Sequence, residues 1–132
     1  MTSRERGDGT VMVTGDERGA GTLMVGVVSL LVVGLSALGV VVGAYLSAAH
    51  RARAAADLSV LAAAHAFGSG GDGCPVAAKV ARANSAEVVQ CRITGTRSAF
   101  AVVVVSQVLV PLAIPGAPTA VAAEARAGTP AR

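Results

Sequence analysis

A chain of 132 residues has room for one membrane span and one small domain beside it. Hydrophobic residues make up 53% of it but aromatics only 2%, so the apolar mass is Ala, Val, Gly and Leu, and a domain built from these gains little per buried side chain. The net charge of +3 and pI near 9.5 come from scattered Arg residues with no aromatic platform between them, which argues against nucleic-acid binding.

Gly19 to Ala49 contains no charged residue, and lies between Asp16-Glu17-Arg18 and His50-Arg51-Ala52-Arg53. As a helix, its apolar heart from Leu23 to Tyr45 reaches roughly 34 Å at about 1.5 Å per residue. A hydrocarbon core is about 30 Å thick, so the segment is long enough to span it. Three identities compete. A cleaved signal peptide has an apolar region of about 7 to 15 residues before a small-residue site; Ser47-Ala48-Ala49 would serve, but the run ahead of it is too long. A plain signal anchor fits the length. A pilin-type leader fits the length and also the residues at the start of the run, and is favoured. Arg4, Arg6 and Arg18 flank one side and Arg51 and Arg53 the other, a slight lean toward a cytoplasmic N-terminus. Within the span Gly39, Gly43 and Ser47 recur every four residues, a spacing of small side chains that lets two helices approach closely.

His50 to Phe67 has no Gly or Pro and is rich in Ala, the best helix former, so the span is expected to continue as one helix from about Thr22 to Phe67. Leu58, Leu61, Ala62 and His65 fall on one side of it, and its Ala-rich surface would let a sheet or helix come close; a stiff stalk is the plainer alternative. Gly68-Ser69-Gly70-Gly71-Asp72-Gly73 then ends the helix. These residues satisfy G-x-G-x-x-G, but a helix rather than a strand precedes them, so a flexible connector is preferred to a dinucleotide site.

Pro75 suits the first position of a short helix over Val76 to Ser85, with Val76, Val80 and Ala83 as its apolar side and Lys79 and Arg82 outside. From Glu87 the period changes. Glu87 to Thr94 alternates loosely, Ser98 to Val110 is strongly β-branched, and Thr119 to Ala127 is a weaker third strand with Val121 and Ala123 opposite Glu124 and Arg126. Short links favour a three-stranded antiparallel meander. Phe100 to Ile114 is also apolar, but with Ser106, Gln107 and Pro111 inside it is short for a second span. The fold class is therefore α+β.

Cys74 and Cys91 are the only cysteine pair and both lie beyond the span, as an oxidising exterior permits. A disulfide between them would tie the start of the short helix to the first strand and stabilise by about 3 kcal/mol; two unpaired thiols are the alternative. A metal site is not expected, because His50 lies at the membrane surface and no C-x-x-C or H-x-x-x-H spacing brings ligands together. Nor is catalysis: there is no G-x-S-x-G elbow and no suitably spaced acidic pair, and Asp57 reads as solvated or Arg-paired. No cofactor is expected.

Arg18-Gly19-Ala20-Gly21-Thr22 before a long apolar helix resembles the start of TadE/TadG-like proteins of Flp (tight-adherence) pilus assembly. The Ala-rich segments Arg51 to Asp57 and Leu61 to Ala64 are similar to that family's helix. Ala83-Asn84, Val88 to Ile93 and Val121 to Gly128 look like its small members from high-GC bacteria. The resemblance implies a prepilin-type peptidase cutting between Gly19 and Ala20, with Gly21 leaving a competing register, a leader left in the cytoplasm, and partners among other pilin-like subunits or the Tad secretion platform. Pilins of this kind usually carry Glu at the fifth residue after the cut, where it pairs with a neighbour's N-terminus; here that residue is Met24. An accessory, pseudopilin-like subunit held in the lipid membrane is therefore expected rather than a shaft subunit. An uncleaved single-span envelope protein whose outer domain binds or regulates a partner is the alternative. The expected organisation is a leader (1–19), a span (20–49), a helix extension (50–67), a linker (68–74), a small extracytoplasmic domain (75–128) and a tail (129–132).

Overall fold

The computed structural model describes residues 17–129. It holds α1 (Glu17–Gly68), α2 (Gly73–Ala83), β1 (Glu87–Thr96), β2 (Ala99–Leu109) and β3 (Ala120–Gly128). The three strands form one antiparallel sheet in the order β1-β2-β3, so the expected α+β class and meander are found. Residues 1–16, which hold most of the expected leader with Arg4 and Arg6, and residues 130–132 of the expected tail lie outside the described residues. The chain divides into two units, one ending at Leu38 and one beginning at Gly39.

The first unit is the apolar part of α1, where every side chain from Gly21 to Leu38 is exposed. Leu30 and Leu35, at 76% and 68% exposure, have no protein neighbour to bury them. A continuous sleeve of bare Leu and Val is what lipid chains cover, since a helix satisfies its own backbone there. The described residues are helical from the first of them, Glu17, so the helix takes in the expected start at Thr22 and the residues just before it.

In the second unit α1 continues to Gly68 and packs on the sheet. Its buried face is Ala48, Ala52, Ala55, Ala56, Ser59, Val60 and Ala63, recurring at three and four residues. Leu58 and Leu61 point the other way, 49% and 61% exposed. The packed side is thus the Ala-rich surface expected to let a sheet come close, and not the side that carries Leu58 and Leu61. The sheet presents β-branched side chains, and small residues on the helix let the two backbones come together without overfilling the space. One cluster joins Ala56, Val60 and Ala63 to Ala77 of α2, Phe100, Val102 and Val104 of β2, and Ala125 of β3. A second joins Ala48, Ala52 and Ala55 to Ala81, Ala86, Val108 and Val110. Ser59 Oγ and Ser106 Oγ are buried there without a hydrogen-bond partner.

The short helix α2 starts at Gly73, before the expected position, with Pro75 in its first turn, where a missing N–H costs nothing. Its buried residues are Gly73, Ala77 and Ala81 rather than Val76, Val80 and Ala83, for the same reason as on α1. At Gly73 α2 comes close to α1: a Cβ built there would lie 2.6 Å from the Ala63 carbonyl oxygen and 2.8 Å from Ile93 Cδ1.

The loose alternation of β1 has a structural cause. A bulge between Val88 and Gln90 adds a residue, leaving Val89 50% exposed and shifting Cys91 and Ile93 onto the inner face. β2 is the central strand. Phe100, Val102, Val104, Ser106 and Val108 face the helices, with Val102 and Val104 wholly buried. Its place in the sheet means that Phe100 to Ile114 does not form a second spanning helix. β3 turns Val121, Ala123, Ala125 and Ala127 inward and Glu124 and Arg126 outward, as expected.

Candidate functional site

Three features of α1 carry the functional reading. The first is its apolar length: the helix is long and apolar enough to cross a membrane, with an 18-residue window of mean hydropathy 2.7, none of it buried. The second is its first described turns, which hold Gly19 and Ala20. Gly19 and Gly21 each lower the helix propensity of this stretch by about 1 kcal/mol relative to Ala. Met24 follows, 73% exposed.

The third is the face of Gly39, Gly43 and Ser47. All three residues are exposed, and a Cβ added at Gly39 or Gly43 would meet nothing within 4 Å. The sheet and its loops take a different side of the helix, on which Val41, Ala44 and Tyr45 are half-buried and Ala48 buried. Gly39, Gly43 and Ser47 thus lie four residues apart on an exposed side of the helix.

The rest of the second unit is braced at both ends. Arg97, in the β1–β2 turn, donates from Nη1 to the Phe67 carbonyl at 2.7 Å, with its guanidinium 5.2 Å above the Phe67 ring. A cation at the end of α1 offsets the negative pole of the helix. Phe67 also meets Phe100 edge-on, 5.1 Å between centroids. At the other end Tyr45 Oη donates to the Pro118 carbonyl at 2.8 Å, tying the loop between β2 and β3 to the last turns of the apolar run. Neither contact was legible in the sequence, because each joins residues far apart along the chain.

Cys74 of α2 and Cys91 of β1 form a disulfide, with χ3 −81° and Cα atoms 5.8 Å apart. Both sulfurs are thereby withdrawn from metal binding and nucleophilic chemistry. His50, Asp57 and His65 are exposed, and among the described residues no three His, Cys, Asp or Glu side chains are grouped as a metal site would need. The G-x-G-x-x-G stretch joins two helices, and its last glycine is taken up by the close approach to Ala63.

Residues 19–66 match the model of a family described as "Putative Flp pilus-assembly TadE/G-like". Comparison with curated proteins and with solved structures returned no match. The matched segment is nearly all of α1, from the small-residue turn at its start to the Ala-rich face under the sheet; α2 and the three strands lie beyond it. Along α1 the chain thus matches the TadE/G-like Flp pilus-assembly family, the one its sequence resembles.

Proposed function

We propose that this protein is a membrane-anchored, pseudopilin-like accessory subunit of a Tad/Flp-type pilus or secretion apparatus. The observation that carries the reading is the family match over residues 19–66, which falls on a helix that is bare of protein contacts through its apolar part. The role is structural: the helix holds the subunit in the bilayer, and the sheet domain is displayed on the extracytoplasmic side with the N-terminus in the cytoplasm. A prepilin-type peptidase cuts between Gly19 and Ala20, in a stretch whose glycines weaken the helix. Gly39, Gly43 and Ser47 then pack against another pilin-like helix or a spanning helix of the secretion platform. Met24 in place of a carboxylate removes the charge that would pair with a neighbour's N-terminus, which favours a minor position over the filament shaft.

One observation supports the alternative of an uncleaved envelope protein. α1 is already helical at Glu17, so the proposed scissile bond lies inside regular structure. Cross-linking separates the two. Gly43→Cys, in cells that make the Tad apparatus, is expected to give a cross-linked adduct that Leu38→Cys, outside the Gly39–Gly43–Ser47 row, does not. The adduct should disappear when the apparatus genes are deleted. Equal adducts from both variants, unchanged by that deletion, would remove the support for assembly through this face.

A further inference from the structure

The loop between β2 and β3 offers a second contact with the bilayer. The chain carries no charged residue from Val108 through Ala123, across Pro111-Leu112-Ala113-Ile114-Pro115-Gly116-Ala117-Pro118. Ala113, Pro115 and Gly116 are exposed at its outer edge, and Leu109 just before it is 73% exposed. An extracytoplasmic loop in water has no need of such composition, since polar turn residues would serve the same connection.

Its level along α1 is fixed. Tyr45 Oη holds the Pro118 carbonyl at 2.8 Å, and Tyr45 and Leu112 pack on the cluster that contains Ala48 and Val110. Tyr45 lies six residues before Arg51, the first charged residue after the apolar run, so the bond sits about 9 Å below that residue at about 1.5 Å per residue. The headgroup layer on each side of a hydrocarbon core is about 5–8 Å deep. If His50, Arg51 and Arg53 stand at the outer edge of that layer, the Pro118 end of the loop reaches the acyl boundary. Tyr is itself a residue of that boundary. Above it, Arg51 shares a surface hollow of about 330 Å³ with Leu109 and Pro111, a placement that lets its stem lie on apolar surface and its guanidinium reach water. The opposite end of the sheet carries Arg97 and no comparable apolar run.

We infer that the Pro111–Pro118 loop is an interfacial anchor that dips into the lipid surface beside α1. The occupant of this apolar surface is the bilayer itself. The inference rests on reading α1 as the membrane span, and it gives the accessory role a physical basis: a domain with its own lipid foothold is held back from leaving with a filament.

The chain contains no Trp, so variants with a single introduced indole report cleanly. Ala113→Trp probes the loop, Ser69→Trp the far end of α1, and Val33→Trp the span. Each full-length variant is reconstituted in phosphatidylcholine–phosphatidylglycerol vesicles containing lipids with a nitroxide quencher at either a shallow or a deep chain position. Fluorescence of the Ala113→Trp variant is expected to be blue-shifted, and quenched several-fold more strongly by the shallow label than that of the Ser69→Trp variant. The Val33→Trp variant should be quenched more by the deep label. Quenching in the span variant but not in the loop variant overturns the loop inference and leaves the span reading standing. Quenching in neither overturns both.

Discussion

The small-residue face of α1 makes a counterintuitive expectation about stability. Ala56 is wholly buried among Val102, Val104 and Ala125, whereas Leu61, on the other side of the helix, is 61% exposed. Ala56→Leu adds three carbon atoms to a closed space between a helix and a sheet, and overfilling of this kind costs about 1–3 kcal/mol. With wholly buried valines facing it, the cost should lie in the upper half of that range. Leu61→Ala removes a larger group from a surface position, where changes stay within about 0.5 kcal/mol, and Ala is if anything the better helix former. The assay is urea unfolding of the detergent-solubilised chain, read by the fluorescence of Tyr45, the one tyrosine, whose bond to Pro118 is lost when the sheet leaves the helix. The midpoint should fall clearly for Ala56→Leu and hardly move for Leu61→Ala. The reverse order would refute the packing described here and make the Leu side the buried face.

Three further outcomes follow from the same contacts. Replacing both Cys74 and Cys91 by Ser should cost about 3 kcal/mol in the chain-entropy view, and neither cysteine of the unreduced native protein should alkylate after denaturation. Gly73→Ala should destabilise by about 1–2 kcal/mol despite the better helix propensity of Ala, because its Cβ would press on the Ala63 carbonyl, which cannot move aside as Ile93 can; an unchanged urea midpoint would show that the helices are further apart. Ser59→Ala should stabilise by about 1 kcal/mol, since it removes a buried hydroxyl without a partner, and a loss of stability in the same unfolding experiment would mean that the hydroxyl is satisfied.

How far the fold could be read ahead depended on which force decided each element. The continuation of the span to Phe67 was legible because the stretch after His50 offers no breaker and many alanines. The three strands were legible because β-branched runs sit between clear turn signals. The Ala-rich surface of α1 was legible as one a sheet could approach, but the buried face of α2 was misread. Val76 and Val80 look like core, yet close packing selects Ala77 and Ala81, as it selects Ala52, Ala56 and Ala63 on α1. Sequence pattern records hydrophobicity and says little of how near a neighbouring backbone will come. The bulge at Val88 and Gln90 had only a trace in the sequence, an alternation that slips phase. Of the candidate site, the cysteines could be named because they are the only pair, and the Gly39, Gly43, Ser47 row because its spacing is local. The Tyr45–Pro118 and Arg97–Phe67 contacts could not, since they depend on where the finished sheet lies along the helix.

A pilin-type subunit and a plain anchored protein part ways at the start of α1. Mass spectrometry of the N-terminus from cells with and without the prepilin peptidase tests the difference most directly. A mature chain beginning at Ala20 only when the peptidase is present is the expected result. A chain that retains the residues before Ala20 in both strains would contradict it.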